Sequence, residues 1–387
     1  MSIKTFLRAF GEAIPLASAG YEKDAVGLQV GYDDGEELRR LLVAYEVTDE
    51  IISEAISVGA NLIIAYHPLI FPNVSSITDS TRTGSLVRRL ILSKIALYVV
   101  HTAFDAQPEI GTSALMATAL GLKNIRTLAP LSDRLEKIVV FVPSADSAIV
   151  KQVQEAMWLA GAGDISNYDE CSFSIDGYGT FRGNEHSNPT VGQSLVRETA
   201  SEVRIEMICE RWKSPNVIKA MIDAHPYEEV AYDRYPLMNS HPKYGMGSIG
   251  EFAQPMPIGQ FLELTVKIFG SEVLRYSNST KTAINRVAML GGSGMEYYSA
   301  ARNAGADAFL IGDIRYHDFY KAEHDGLLLV DIGHAETECF VVRGMVEEAL
   351  RVWNVVDLHY KDQHSMVVGS GIRPNAVQYY IRKSQEL

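Results

Sequence analysis

The stretch Leu327–Phe340, LLLVDIGHAETECF, decides how the whole chain is read. Leu327 to Val330 is an unbroken apolar run without helical spacing, which predicts a buried strand. Gly333 then permits a tight exit, and His334 is delivered at the strand's carboxyl end. From Val341 to Trp353 apolar residues recur at helical intervals, so His334 and Glu338, four apart, fall on one face of a first helical turn. An imidazole beside a carboxylate in that place is a metal-ligand pair or an acid/base pair. On this segment alone it reads equally as a satisfied histidine next to a helix-capping glutamate.

The same device occurs upstream. Ile95–Ala106, IALYVVHTAFDA, is again an apolar run followed by His101 and, four residues on, Asp105. Gly59–Ile64, GANLII, and Gly305–Ile311, GADAFLI, each follow a helical stretch and open an apolar strand. The first ends in Tyr66-His67-Pro68 and the second in Gly312-Asp313, with His317 close behind. Helix, Gly-Ala-Asx, strand, connection, strand, His-x-x-x-acid, found twice, predicts a duplicated unit. Packed about a pseudo-two-fold axis, the two copies bring His67, Asp105, His334 and Glu338 together.

Composition removes several classes of function. At 387 residues, 47% hydrophobic and 21% charged, the chain has material for two or three domains and is not disordered. Its formal charge of −13, with no Lys/Arg cluster denser than Arg82–Lys94, argues against nucleic acid and against an anionic membrane as partners. Three separated cysteines, Cys171, Cys209 and Cys339, form no C-x-x-C, which suits a reducing cytoplasm and disfavours a thiolate metal site. Cys339 reads as a small buried residue or as a thiol beside the site. The amino terminus reads as an amphipathic helix, and no span reaches a transmembrane length.

Strands alternate with helices through Leu122, which predicts an α/β layer with functional residues outside the carboxyl ends of its strands. Thr48 and Asp49 supply an N-cap for a helix to Val58. Between residues 127 and 251 the order becomes strand, helix, strand, strand, helix, strand, that of a ferredoxin-like module inserted between the copies. The main domain is then discontinuous, 1–126 and 252–369, with 370–387 a peripheral tail. Gly245–Gly250, GMGSIG, reads as the returning linker, because no adjacent strand and helix support a dinucleotide fingerprint. Gly291-Gly292-Ser293-Gly294 reads as a tight strand-to-helix turn or as a cradle of N–H groups for an anion.

The pieces AVGLQVG, YHPLIF, HTAFDA, GDIRYHD and GHAETE, in this order, resemble the Ngg-interacting-factor-three family, whose bacterial members are called GTP cyclohydrolase 1 type 2 homologues. HPYEEVAYDRYPL and GMGSIGE resemble the CutA/PII-like insertion of its longer members. The resemblance implies a duplicated three-layer α/β/α unit with mixed sheets, two neighbouring divalent ions, and a toroidal homohexamer. It implies His67, Asp105, His334 and Glu338 as metal ligands, and His101 as a residue that braces a ligand or faces the substrate. The chain departs from the family pattern at Tyr66, where a second histidine is usual, and at Ala25, where asparagine is usual. A phenol is a poorer ligand than imidazole for Zn, Mn or Fe, so one well-held ion, or a second held weakly, is expected. Of the unligated groups His101, Asp313, His317 and Glu336, the two histidines are the catalytic candidates for proton relay. The implied function is that of a metal-dependent hydrolase for a small nucleotide-like or phosphorylated substrate. The rival is a non-catalytic metal-binding sensor of a small ligand, or an oligomeric scaffold.

Overall fold

The computed structural model describes residues 1–356, 366–372 and 375–377, apart from 22, 33, 34 and 145. The chain separates into two compact units, Met1–Ala129 with Tyr244–Leu387, and Pro130–Lys243. The first half of the larger unit begins α1 (Ile3–Ala13), β1 (Gly27–Val30), β2 (Leu41–Ala44), α2 (Asp49–Val58) and β3 (Leu62–Ala65). It continues α3 (Arg82–Leu92), β4 (Ala96–Val99), α4 (His101–Asp105), α5 (Thr112–Ala119) and β5 (Lys123–Pro130). The smaller unit holds β6 (Leu135–Pro143), α6 (Ser147–Leu159), β7 (Phe173–Arg182), β8 (Arg197–Glu210), α7 (Ser214–Ala224) and β9 (Tyr232–Leu237). The second half opens with β10 (Gly245–Pro257), α8 (Ile258–Phe269), β11 (Arg275–Tyr276), β12 (Ala283–Ser293), α9 (Tyr298–Asn303) and β13 (Ala308–Gly312). It closes with α10 (Tyr316–Asp325), β14 (Leu328–Asp331), α11 (His334–Thr337), α12 (Val341–Val356) and β15 (Val367–Gly369).

Two sheets of the larger unit repeat one pattern. One runs β1-β4-β3-β2-β15 and the other β11-β14-β13-β12-β10-β5. In the first, β1 is antiparallel to β4, while β4, β3 and β2 are parallel. In the second, β11 is antiparallel to β14, while β14, β13 and β12 are parallel. The duplication read from Gly-Ala-Asx and His-x-x-x-acid is therefore one of topology as well.

The central strands β2, β3, β4 and β13 are apolar and buried throughout because both faces are covered. Leu41, Val43, Leu62 and Ile64 pack on Phe6 and Phe10 of α1 and on Met345 and Trp353 of α12. Leu42, Ala44, Ile63 and Ala65 face Ile51 and Ile52 of α2 and Leu86 and Val87 of α3. In the second sheet Val287, Met289, Leu310 and Val330 meet Met116 and Ala117 of α5 and Phe261 and Phe269 of α8. The last helix of each half thus covers the other half's sheet, and the strand that follows it, β5 or β15, joins that sheet.

The parallel order sends the carboxyl ends of β3, β4, β13 and β14 the same way within each sheet, and Tyr66-His67, His101, Asp313 and His334 emerge there. Backbone pairing continues past the strands, Tyr66 N–H to Ala44 O at 3.0 Å, His67 N–H to Tyr45 O at 3.0 Å and His101 N–H to Tyr66 O at 3.0 Å, and it fixes their positions.

The smaller unit is an antiparallel sheet in the order β7-β8-β6-β9. Val153 and Met157 of α6 and Val217 and Met221 of α7 pack on Ile138, Val140, Ile205 and Met207. Numbered within the unit, the order is 2-3-1-4 with two helices on the sheet, the ferredoxin-like arrangement.

Three local readings need correction. Gly245–Gly250 is not a linker but the buried start of β10, paired with β12 through Ser248↔Met289, Ile249↔Ala288 and Gly250↔Val287. Its glycines serve close packing: a Cβ at Gly250 would meet Leu122 Cβ at 3.0 Å, and one at Gly247 would meet Met289 O at 3.0 Å. His334 opens a separate one-turn helix, α11, which ends at Glu338 before α12 begins, so the pair is not in the first turn of the long helix. Strand β12 runs on through Gly291, Gly292 and Ser293. Most of the 370–387 tail lies outside the described residues.

Candidate metal centre

Glu338, 3% exposed, is the middle of the site. Its Oε1 lies 3.3 Å from His334 Nε2 and its Oε2 lies 3.6 Å from His67 Nε2. Tyr45 Oη donates to Oε2 at 2.6 Å. One ligand atom each from His67, His334 and Glu338 lies within 4.8 Å of the others, a group able to hold a metal ion among the described residues. The two imidazole rings, one from each half, are 5.7 Å apart. Asp105, 8% exposed, is turned to a different partner. Tyr66 Oη lies 2.9 and 3.0 Å from its two oxygens and 3.3 Å from Glu338 Oε1, and Thr112 Oγ1 donates to Asp105 Oδ1.

His334 and His101 are each backed by an acid. Asp313 accepts from His334 Nδ1 at 2.6 Å, and Asp24 accepts from His101 Nδ1 at 2.7 Å. Asp24 also accepts from the backbone N–H and hydroxyl of Thr102. His67 Nδ1 stands 3.3 Å from Glu46 Oε2 without hydrogen-bond alignment. Such acids fix ring orientation and tautomer. His101 and Asp313 both have left-handed backbones, φ 33° and 57°, uncommon for residues with a side chain.

Charge follows this geometry. Burial pushes the Glu338 carboxyl up, but the hydrogen bond and charge of His334, the charge of His67 and the Tyr45 hydroxyl outweigh it and hold it below the usual range. Burial lowers His334, yet Glu338 and Asp313 raise it to about 9. Asp105 rises to about 6 through burial, opposed by the Thr112 hydroxyl and reinforced by the Glu338 charge. Burial and the charges of Asp105 and Glu338 push Tyr66 well above its ordinary value, so it is a neutral phenol.

The four residues read as ligands thus meet in one place, with Asp105 joined to the rest through Tyr66. A set of two imidazoles and one carboxylate suits a borderline divalent ion such as Zn, Mn or Fe. His101 lies beside it, its ring 5.6 Å from that of His67. His317 does not; it is exposed on α10 against Tyr316 and lines neither neighbouring cavity. One cavity of about 420 Å³ is bounded by Tyr21, His67, His101, Asp105 and Glu338, and one of about 930 Å³ by Tyr45, Arg82, Arg275, Asp313 and Glu336. His67 and His334 line both.

Sequence reasoning missed Asp24, Tyr45, Glu46 and Thr112, which carry no local pattern. It also assigned Gly291-Gly292 a turn or an anion cradle. Gly292 N–H instead donates to Thr337 Oγ1 at 2.7 Å, and a Cβ there would meet Glu338 Oε1 at 2.7 Å, so these glycines are the wall of the centre.

A sequence model of the family described as Duf34/NIF3 (NGG1p interacting factor 3) matches residues 1–359. The GTP cyclohydrolase 1 type 2 homolog of Halalkalibacterium halodurans is 40% identical over 332 residues, 86% of this chain and 88% of that one. Its namesake from Bacillus subtilis is 34% identical over 329 residues, 85% and 87% of the two chains. The crystal structure of a Bacillus cereus protein related to NIF3 is similar at a TM-score of 0.81, with 35% identity over 98% of this chain and 99% of that one. A Staphylococcus aureus protein is similar at 0.74, with 27% identity and the same coverage. The chain belongs to the Duf34/NIF3 (NGG1p interacting factor 3) family.

Proposed function

We propose that the chain is a metal-dependent hydrolase for a small nucleotide-like or phosphorylated substrate, as the name of its curated relatives suggests. What carries the reading is the convergence of His67 from one half with His334 and Glu338 from the other, at the edge of two cavities. These three residues would hold a divalent ion, which would lower the pKa of a bound water and polarise a carbonyl, imine or phosphoryl oxygen. His334 is oriented for that role by Asp313, and Glu338 by the Tyr45 hydroxyl. His101, fastened through Nδ1 to Asp24, keeps its other nitrogen for holding or moving a proton in the smaller cavity.

The test is turnover of a panel of nucleotides and phosphoesters with added Mn²⁺, Zn²⁺ or Fe²⁺, alongside metal content. We expect turnover in the wild type and its loss, together with loss of bound metal, in His334→Ala. Metal bound by the wild type without turnover of any panel member would replace this reading with that of a ligand sensor.

A further inference from the structure

The centre sets two buried carboxylates, Asp105 and Glu338, around one hydroxyl. Tyr66 Oη is within 3.0 Å of both Asp105 oxygens and 3.3 Å from Glu338 Oε1. The residue is 1% exposed, and its hydroxyl lies between the two acids. A cation joining the same two acids must come within about 2.0–2.2 Å of an oxygen from each. The phenol oxygen already lies in hydrogen-bonding contact with both. Its ring cannot swing clear without disturbing Tyr45, 6.0 Å away and stacked, and His101, 5.6 Å away and edge-on.

The acids do not need a metal to be satisfied. Asp105 receives the Thr112 hydroxyl in addition to Tyr66, and Glu338 receives Tyr45 at its other oxygen. Two buried carboxylates this close ordinarily repel unless a cation or a proton lies between them. Here a phenol stands in that position, its one hydrogen shared between the two acids. His67 and His334, by contrast, meet Glu338 at Oε2 and Oε1, and neither is among the hydrogen-bond partners of Asp105.

We infer that Tyr66 takes the place of a second cation: its hydroxyl links Asp105 to Glu338 and limits the centre to one ion per chain, held by His67, His334 and Glu338. The inference rests on the metal reading above and adds a stoichiometry and the residue that sets it. It makes Asp105 a brace for Tyr66 and not a ligand. It also makes the limit reversible. An imidazole is shorter than a phenol and offers a lone pair in place of a hydroxyl hydrogen, so Tyr66→His vacates the space between the acids and adds a third nitrogen to it.

The measurement is bound Mn²⁺ per folded chain, on full-length protein stripped with chelator and then equilibrated with the ion, together with its electron paramagnetic resonance spectrum. Wild type is expected to saturate at one ion with the six-line signal of an isolated centre. Tyr66→Phe, which removes only the hydroxyl from between the acids and adds no ligand, should admit a second, weakly held ion at high Mn²⁺. Tyr66→His should take up two, with the altered spectrum of a spin-coupled pair. Two ions in the wild type, or one in a Tyr66→His variant whose circular dichroism shows it folded, would overturn the inference while leaving the metal reading intact. No ion in the wild type would overturn both. If Tyr66→His does not fold, Tyr66→Phe decides instead: a second ion taken up at high Mn²⁺ supports the inference, and a strict limit of one overturns it.

Discussion

At Gly292 the backbone has φ +66°, and a side chain there would begin 2.7 Å from Glu338 Oε1 and 3.1 Å from His334 Nε2. Two penalties are superposed at this residue: the left-handed conformation, and the space already taken by the site. Gly270 separates them. It closes α8 with φ +65° and has nothing within 4 Å of the added carbon. Gly270→Ala should cost about 1–2 kcal/mol in urea unfolding through backbone strain alone and leave Mn²⁺ affinity unchanged. Gly292→Ala should cost about 1–3 kcal/mol and also weaken Mn²⁺ binding, because Glu338 must move. Equal Mn²⁺ affinity in both variants would show that the close approach has no bearing on the centre.

The repeated Gly-Ala-Asx shows how an element is fastened. Gly59 and Gly305 have φ of 74° and 72°, and each follows a helix and precedes a central strand. The Asx that follows ties that strand to its neighbour. Asn61 accepts from Arg39 N–H at 2.9 Å and donates to Glu37 O at 2.8 Å, while Asp307 accepts from Asn285 and Arg286 N–H at 3.0 and 2.8 Å. Burial raises the Asp307 carboxyl, but the Arg286 N–H, Lys281 and the Asn285 N–H more than offset it and leave it lowered. A depressed folded pKa stabilises fully above the unfolded value, near 4, and that contribution is lost as pH falls through the folded value. Asp307→Asn should therefore destabilise by about 1–3 kcal/mol at pH 7, with the gap to wild type shrinking in acid below pH 4. A gap independent of pH in urea unfolding would refute the clamp. This element was legible in the sequence because its pattern recurs after a helix and before an apolar run, although its Asx bonds to residues 21 to 24 positions away. His334 and Glu338 were legible for the same reason, four residues apart. Asp24 lies 77 residues from His101, and Tyr45 lies 293 from Glu338, so only the folded sheets reveal those pairs. β10 was misread because a glycine that lets a loop bend and a glycine that lets strands approach look alike in one sequence.

Across the larger unit, the two halves are interlocked. Each sheet is completed by a strand from the other half and covered by the other half's last helix, so neither half alone closes its own core. The centre draws on both halves: one imidazole follows β3 of the first half, and the other opens α11 after β14 of the second. Trp353 makes the point energetically. It belongs to the second half, is 1% exposed, and packs 5.6 Å from Phe6 at the heart of the first half's core. Truncating it removes a large buried ring, so Trp353→Ala should destabilise by about 3–5 kcal/mol. Were the halves independent, that loss would fall on the first sheet and leave the second at full stability. Because α5 and β5 carry the first half into the second sheet, the loss should be shared by both. Native-state hydrogen exchange reads the two sheets separately, and the amides of β3 and of β13 should lose protection by the same free energy in Trp353→Ala. Full protection retained in β13 while β3 opens would mean that the exchanged strands do not couple the halves, and that the candidate metal centre can come apart from one side.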